Sequence, residues 1–361
     1  MSEAKDFKLL IAGGGTGGHL YSGIAVAERL RESHPKAKVL FVGTPYGLEK
    51  EIVPLNGFEL RTLQVSPLKG SSWKVRLKSL ANLPRAYFAA KKILREFKPN
   101  FVLGIGGYAS GPMTLAAHFA KIPTGIIEQN SIPGFTNRKL GRFVDKIFLS
   151  FSKAEQYFNP KKTLLSGNPT RKLSLAAQGE KRPGKFCLFV LGGSQGAHAL
   201  NQAMLEAIPL LKGLHEKLYV IHQTGPQDET ELRLAYQSHE IEAKVFAFDQ
   251  NLGPYYSQAD LMLCRSGAGT ITELQNLGIP AILVPYPFAA DDHQFFNAQE
   301  MLDAGAAELI RNQDLNGAVL AERLQKLVSS PDLLRGMREK AHSLAKPEAA
   351  EQVLQVCLSS S

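Results

Sequence analysis

Two stretches of the chain repeat one design: KLLIAGGGTGGHL at 8–20 and CLFVLGGSQGAHAL at 187–200. Each reads as an unbroken apolar strand, a glycine-rich turn and the start of a helix. A strand without polar alternation is covered on both faces, which calls for a parallel sheet between helices. Two such units in 361 residues predict two domains of one class. In the first half, strands are expected at 7–12, 38–42, 101–105, 124–127 and 146–149. In the second they are expected at 186–191, 217–222, 244–247, 261–264 and 281–284, with helices such as Ile24–Ser33 and Ala197–Ile208 between. The expected fold class is α/β: two Rossmann-like, doubly wound parallel-sheet domains facing a cleft. The domains are expected at 1–165 and 186–345. The stretch 166–185 between them, ending in the polar QGEKRPGK, reads as a linker.

Composition narrows the class. With 44% hydrophobic and 21% charged residues, the chain reads as a soluble globular protein. No apolar run reaches membrane-spanning length, and MSEAKDFKLL does not read as a signal peptide. Cys187, Cys264 and Cys357 are scattered, as expected of reduced thiols in the cytoplasm without a metal site. Charge is uneven. Residues 1–165 hold 25 Lys and Arg against 11 Asp and Glu, whereas 166–361 hold 17 against 22, giving +14 and −5. A basic half is expected to meet something anionic.

Gly13, Gly15 and Gly18 fit the dinucleotide fingerprint G-x-G-x-x-G. Such a turn lets the backbone approach a ligand, and the helix after it offers free amides to a phosphate. A dinucleotide site also needs an acid closing the second strand. Here that strand ends Val42-Gly43-Thr44, which argues against a nicotinamide or flavin cofactor. His19, at the mouth of the helix, is either structural or catalytic. The positive helix end favours a neutral imidazole able to accept a proton. Three more turns belong with this one: GIGGYASGP at 104–112, GGSQGA at 192–197 and RSGAGTITE at 265–273. Glu273 reads either as a helix cap or as a ribose ligand. No G-K-[ST] follows any of these turns and no metal-ligand spacing occurs. Asp291-Asp292-His293 reads as solvated charge opening a helix. No cofactor and no metal are expected, so helix ends, Ser194 and Arg171 would stabilise a leaving diphosphate.

Seven motifs in order, GGTGGH (14–19), GGYASGP (106–112), EQNSIPG (128–134), GNPTR (167–171), GGSQGA (192–197), CRSGAGTITE (264–273) and DDHQFFNA (291–298), carry a resemblance across nearly the whole chain. The sequence resembles the MurG family of bacterial N-acetylglucosaminyltransferases, which have the two-domain GT-B fold. The resemblance implies transfer of GlcNAc from UDP-GlcNAc to the C4 hydroxyl of MurNAc in lipid I, with inversion, giving lipid II for peptidoglycan. It implies a C-terminal donor domain, with Glu273 on the ribose, Ser194 on the diphosphate, Arg171 on the nucleotide and Gln294 on the sugar. Ala268, Gly269 and Thr270 would line the donor, and Phe248 would flank the uracil through its backbone. Thr16, Gly17 and Gly18 would approach the substrates from the N-terminal side, and Asn130 would contact the transferred sugar. Gly106, Gly107, Tyr108 and Ser110 are candidates for the acceptor diphosphate. The chain end 346–361 would return to the first domain. Inversion needs a base for the acceptor hydroxyl. His19 is the first candidate and Glu128 the second.

Residues 69–98 hold nine Lys and Arg and one acid, Glu96, interleaved with apolar side chains. This is either an ordinary amphipathic helix or a surface for an anionic membrane, using Trp73, Lys74, Arg76, Leu77, Lys78 and Arg85. A lipid-borne acceptor favours the second and implies the cytoplasmic face of the cell membrane. No nucleic-acid motif accompanies the charge. A wall-synthesis assembly is a further expected partner. The competing activities are a UDP-GlcNAc 2-epimerase, a transferase acting on another lipid and a non-catalytic nucleotide-sugar sensor.

Overall fold

The computed structural model describes residues 7–15, 17–65, 73–170, 181–193 and 196–360, with backbone alone for 73–83. The chain forms two compact units. Unit 1 is Met1–Arg171 with Lys346–Ser361, and unit 2 is Lys172–Ala345.

Among its described residues unit 1 has seven strands: β1 (Lys8–Ala12), β2 (Lys38–Gly43), β3 (Glu59–Thr62), β4 (Phe101–Gly104), β5 (Thr124–Glu128), β6 (Lys146–Leu149) and β7 (Thr163–Leu164). They lie in the order β3-β2-β1-β4-β5-β6-β7, and every pairing is parallel. Its helices are α1 (Gly17–Ser33), α2 (Glu49–Leu55), α3 (Trp73–Phe97), α4 (Ser110–Phe119) and α5 (Phe135–Leu140). Unit 2 repeats the scheme with β8 (Phe186–Leu191), β9 (Leu218–Gln223), β10 (Glu242–Phe246), β11 (Leu261–Cys264), β12 (Ala281–Leu283) and β13 (Ala307–Leu309). Their order is β10-β9-β8-β11-β12-β13, again all parallel. Its helices are α6 (His198–Ala207), α7 (Glu229–Ser238), α8 (Gly253–Tyr256), α9 (Ala268–Leu277), α10 (His293–Asp303), α11 (Gly317–Val328) and α12 (Pro331–Ser343). The last helix, α13 (Ala349–Ser359), belongs to unit 1.

The strand pattern explains the layering. Leu9–Ala12 and Cys187–Leu191 are buried without alternation, and each fully buried Leu, Ile, Val or Phe contributes about 1.5–3 kcal/mol. Leu20, Ile24, Ala27 and Leu30 of α1 cover the first sheet. Val353, Leu354 and Cys357 of α13 pack in the same cluster, and Arg29 of α1 pairs with Glu351. Strands β3, β7 and β13 were absent from the sequence expectation. ELRT is polar, and β7 and β13 have two and three residues; at a sheet edge hydrogen bonding suffices to make a strand without an apolar signal. Residues 166–170, expected in a linker, lie in unit 1, with Ser166 and Asn168 buried. Gly167 has φ +83°, and a Cβ there would stand 2.6 Å from Lys346 Cβ. The departing and returning chains therefore touch at a residue with no side chain.

Candidate active site

In both sheets the strand order reverses beside the glycine-rich turn, between β1 and β4 and between β8 and β11. Ligands of doubly wound sheets bind at the carboxyl ends of strands at that switch point.

In unit 1 two turns meet backbone to backbone. Gly14 N donates to Gly106 O at 3.2 Å. A Cβ on Gly13 would lie 2.2 Å from Gly106 O, and one on Gly107 2.3 Å from Gly14 O. Glycine is required here by contact as well as by positive φ. The turns bring together the expected residues Gly17, Gly18, His19, Gly106 and Gly107. The half-buried His19 stands on the first turn of α1, its ring carbons and Nε2 about 3.4 Å from where a Gly106 Cβ would be. Its carbonyl accepts from Ser22 Oγ (2.7 Å), which accepts from Gln129 Nε2 (2.9 Å); that amide also donates to Ile105 O (3.1 Å). This buried chain ties α1 to the end of β5. Ser22 lies outside every motif, and Gln129, though inside EQNSIPG, was given no role.

Glu128 closes β5 and is 1% exposed. Its carboxylate accepts from Asn130 N (2.9 Å), Gly134 N (3.1 Å) and Asn137 Nδ2 (2.9 Å). Burial pushes its pKa up to about 6, against the pull of those donors. These bonds shape the 128–134 turn and present the half-buried Asn130. Tyr108 is exposed. Ser110 is not: it is fully buried, with Oγ 2.6 Å from where a Gly104 Cβ would be. It packs under β4, because the first residue of α4 points back at the sheet.

The sequence shows no acid closing β2, but the fold supplies one from six residues on. Glu49 is fully buried. Its Oε1 accepts from Thr44 N and Thr44 Oγ1, both at 2.7 Å, and its Oε2 from Gly15 N at 3.0 Å. Burial raises its pKa, but those hydrogen bonds outweigh it and hold the carboxyl below its ordinary value.

Unit 2 makes its turn differently. A Cβ on Gly196 would stand 2.1 Å from Thr224 O, and Gln223 Nε2 donates to Gly193 O at 2.9 Å. Beneath lies a buried polar network. His222 Nε2 meets Asn201 Oδ1 at 3.1 Å, and Asn201 Nδ2 donates to Thr224 O (2.8 Å) and Asp228 Oδ2 (2.6 Å). Asn201 Oδ1 can only accept, so His222 carries its proton on Nε2 and accepts Tyr236 OH at Nδ1 (3.0 Å). Burial pushes His222 down to about 3.

At the switch-point partner strand, Gly267 caps α9 in extended backbone. Ala268, Gly269 and Thr270 form its first turn, with open space where a Gly269 Cβ would be. Ser266 is fully buried. Glu273, half-buried, is not a cap: it is the sixth residue of α9 and accepts Tyr256 OH at 2.5 Å. Phe248 is exposed, two residues beyond β10. Gln294, second in α10, accepts Tyr286 N at 2.9 Å. Asp291 and Asp292 both have left-handed backbone, with φ +55° and +52°. Asp292 pairs with Arg311 at 2.8 Å, and that guanidinium lies 3.5 Å over Phe295. Asp291 is exposed, as expected of solvated charge, while Asp292 is also tied to Arg311. Thr16, Arg171 and Ser194 lie outside the described residues, as do the side chains of Trp73, Lys74, Arg76, Leu77 and Lys78. Arg85 is exposed on α3.

Comparison with known proteins agrees with this architecture. Residues 9–149 match the glycosyltransferase family 28 N-terminal domain, and 187–353 match the family 28 C-terminal domain. A UDP-N-acetylglucosamine–N-acetylmuramyl-(pentapeptide) pyrophosphoryl-undecaprenol N-acetylglucosamine transferase of Syntrophus aciditrophicus is 45% identical, over 97% of this chain and 98% of its own. The crystal structure of Acinetobacter baumannii MurG superposes with a TM-score of 0.81 at 29% identity, covering 98% of this chain and 99% of that one. A UDP-GlcNAc 2-epimerase of Neisseria meningitidis, solved with UDP-GlcNAc, shares the fold alone: TM-score 0.66, 14% identity, over 98% of this chain and 100% of that one. With both halves matched in order and near-half identity along its full length, the chain belongs to the MurG family of GT-B glycosyltransferases.

Proposed function

We propose that this chain transfers GlcNAc from UDP-GlcNAc to the C4 hydroxyl of MurNAc in lipid I, inverting the anomeric centre and releasing UDP and lipid II. The observation that carries the reading is full-length identity of 45% to a curated transferase so named. A transfer assay with radiolabelled UDP-GlcNAc and a short-chain lipid I analogue tests it: labelled disaccharide-lipid is expected. Formation of UDP-ManNAc from UDP-GlcNAc alone would make the protein an epimerase instead.

Unit 2 takes the donor. The starts of α6 and α9 present amides and positive helix ends to the diphosphate, joined by Ser194 and Arg171. Glu273 accepts the ribose hydroxyls while Tyr256 OH holds its carboxylate in place. The Gln294 amide faces the sugar hydroxyls, oriented by Tyr286 N. The Phe248 backbone flanks the uracil. As the anomeric carbon–oxygen bond breaks, charge grows on the diphosphate, and these donors stabilise it more than the ground state. Unit 1 takes the acceptor. His19 accepts the proton of the attacking hydroxyl. Glu128, its oxygens occupied by the 130–137 turn, acts as a positioning residue for Asn130.

A lipid-borne acceptor requires a surface that meets the bilayer, on the cytoplasmic face. Among the described residues no helix is long and apolar enough to cross a membrane. Phe88 (67% exposed) and Phe119 (63%) stand out on α3 and α4, linked through Tyr87 at 5.9 and 6.5 Å. His118 continues the run to Phe143 at 5.8 Å. Beside Phe143 lies a pocket of about 640 Å³ lined by Arg138, Lys139, Arg142 and Lys162 and by no acid. Exposed aromatics next to unopposed cations suit an interface rich in anionic lipid.

A further inference from the structure

UDP-GlcNAc differs from UDP-glucose by one substituent, an acetamido group in place of a hydroxyl, and the apolar part of that group is its methyl. A site that selects it needs an accessible apolar surface beside the sugar. Among the described residues of unit 2 the exposed large apolar side chains are Leu210, Leu234, Phe248, Tyr286, Phe288 and Leu333. Leu210 follows α6, and Leu234 and Leu333 lie within α7 and α12. Of the six, only Phe248, Tyr286 and Phe288 follow the carboxyl ends of strands, the edge of the sheet where a ligand binds. Phe248 is read beside the uracil, which leaves the aromatic pair on the loop between β12 and α10.

Phe288 is 81% exposed and Tyr286 44%, with ring centroids 5.6 Å apart and planes at 71°. The loop that carries them is braced. Arg265 Nη1 donates to Val284 O (3.1 Å) and Pro285 O (3.3 Å), and its guanidinium lies 5.7 Å from the Tyr286 ring centroid. Ala289 N donates to Tyr286 O at 3.2 Å, and Tyr286 N donates to Gln294 Oε1 at 2.9 Å. That last bond fastens the aromatic pair to the amide read as the sugar ligand. We propose that Tyr286 and Phe288 are specificity-determining residues that pack on the acetamido methyl of the donor sugar. This rests on the reading of unit 2 as the donor unit with Gln294 at the sugar. Covering the methyl with the rings removes apolar surface from water for GlcNAc and not for glucose, so the pair favours UDP-GlcNAc over UDP-glucose.

Calorimetric titration of the full chain with UDP, UDP-GlcNAc and UDP-glucose, without acceptor, tests this. Phe288→Ala should weaken UDP-GlcNAc about five- to tenfold and leave UDP and UDP-glucose unchanged. Tyr286→Ala should act in the same direction. Phe288→Leu, which keeps an apolar surface, should restore most of the loss. Because Phe288 is exposed, its replacement should leave the melting temperature unaltered. Unchanged UDP-GlcNAc affinity in both alanine variants overturns the proposal. So does an equal loss for UDP-glucose or UDP, which would mean contact with a part those ligands share. A loss confined to the KM of a lipid I analogue overturns it too, because the pair would then touch the acceptor. UDP affinity unmoved by Glu273→Ala would count instead against the donor reading of unit 2, separately from the outcome at Phe288.

Discussion

The two glycine turns begin alike and end as different instruments. In unit 1 the turn is clamped from two sides, by the Gly104–Gly107 backbone and by the buried Glu49. In unit 2 it is braced from below through Thr224 O and Gln223, over a polar network centred on His222 and Asn201. One architecture thus yields two crevices braced in different ways. In unit 1 the acid that opens the next helix, Glu49, bonds the turn, whereas in unit 2 the acid before the next helix, Asp228, bonds Asn201 and His198 of α6.

The proposed reaction puts proton transfer in unit 1 and donor binding in unit 2, and mutants should separate along that line. Replacing His19 by Ala should lower kcat about a hundredfold or more while UDP affinity stays unchanged. Near-normal turnover would take the base role away from His19. Replacing Glu273 by Ala should weaken UDP binding roughly ten- to a hundredfold by calorimetry, because ribose bonds to a charged group are lost. Unaltered affinity would move the ribose off α9.

The buried ionisable groups should also pull the units apart in acid. His222 is depressed from 6.5 to about 3, so its contribution is present above 6.5 and is lost as pH falls, at up to about 1.4 kcal/mol per pH unit. Glu128 is raised from 4.5 to about 6, so its contribution is full below 4.5 and is lost as pH rises through 6. Between 6.5 and 4.5, acidification should therefore weaken unit 2 and slightly favour unit 1. Hydrogen exchange resolved by unit checks this, and His222→Gln should flatten the slope in unit 2 only. Equal slopes in both units would contradict it. The smallest effect concerns the membrane. Phe88→Ser with Phe119→Ser should reduce partition onto anionic vesicles about five- to tenfold, and high salt should release the unaltered protein. Salt-independent binding would argue against the electrostatic part.

Much of this was legible from local pattern. Unbroken apolar runs marked the central strands, since burial on both faces leaves no alternation. The seven motifs carried the resemblance, and full-length relatives bear it out. The edge strands were silent because pairing at an edge asks little of side chains. Helix α1 begins at Gly17, seven residues before the expected start. Gly17 and Gly18 are poor helix formers, so local propensity did not place them in the helix.

By itself the sequence determined the α/β class, the duplication, the family and the positions of the turns, because periodicity and glycine placement act within a few residues. Only the tertiary structure decided what the acids do. Glu128, the second candidate base, bonds its own turn, Glu273, read as a helix cap or a ribose ligand, is held by Tyr256, and Glu49 was not noticed at all. A carboxylate's role depends on which donors surround it and how much water is left. Those donors come from residues as distant as 34 positions along the chain, which no local pattern can specify.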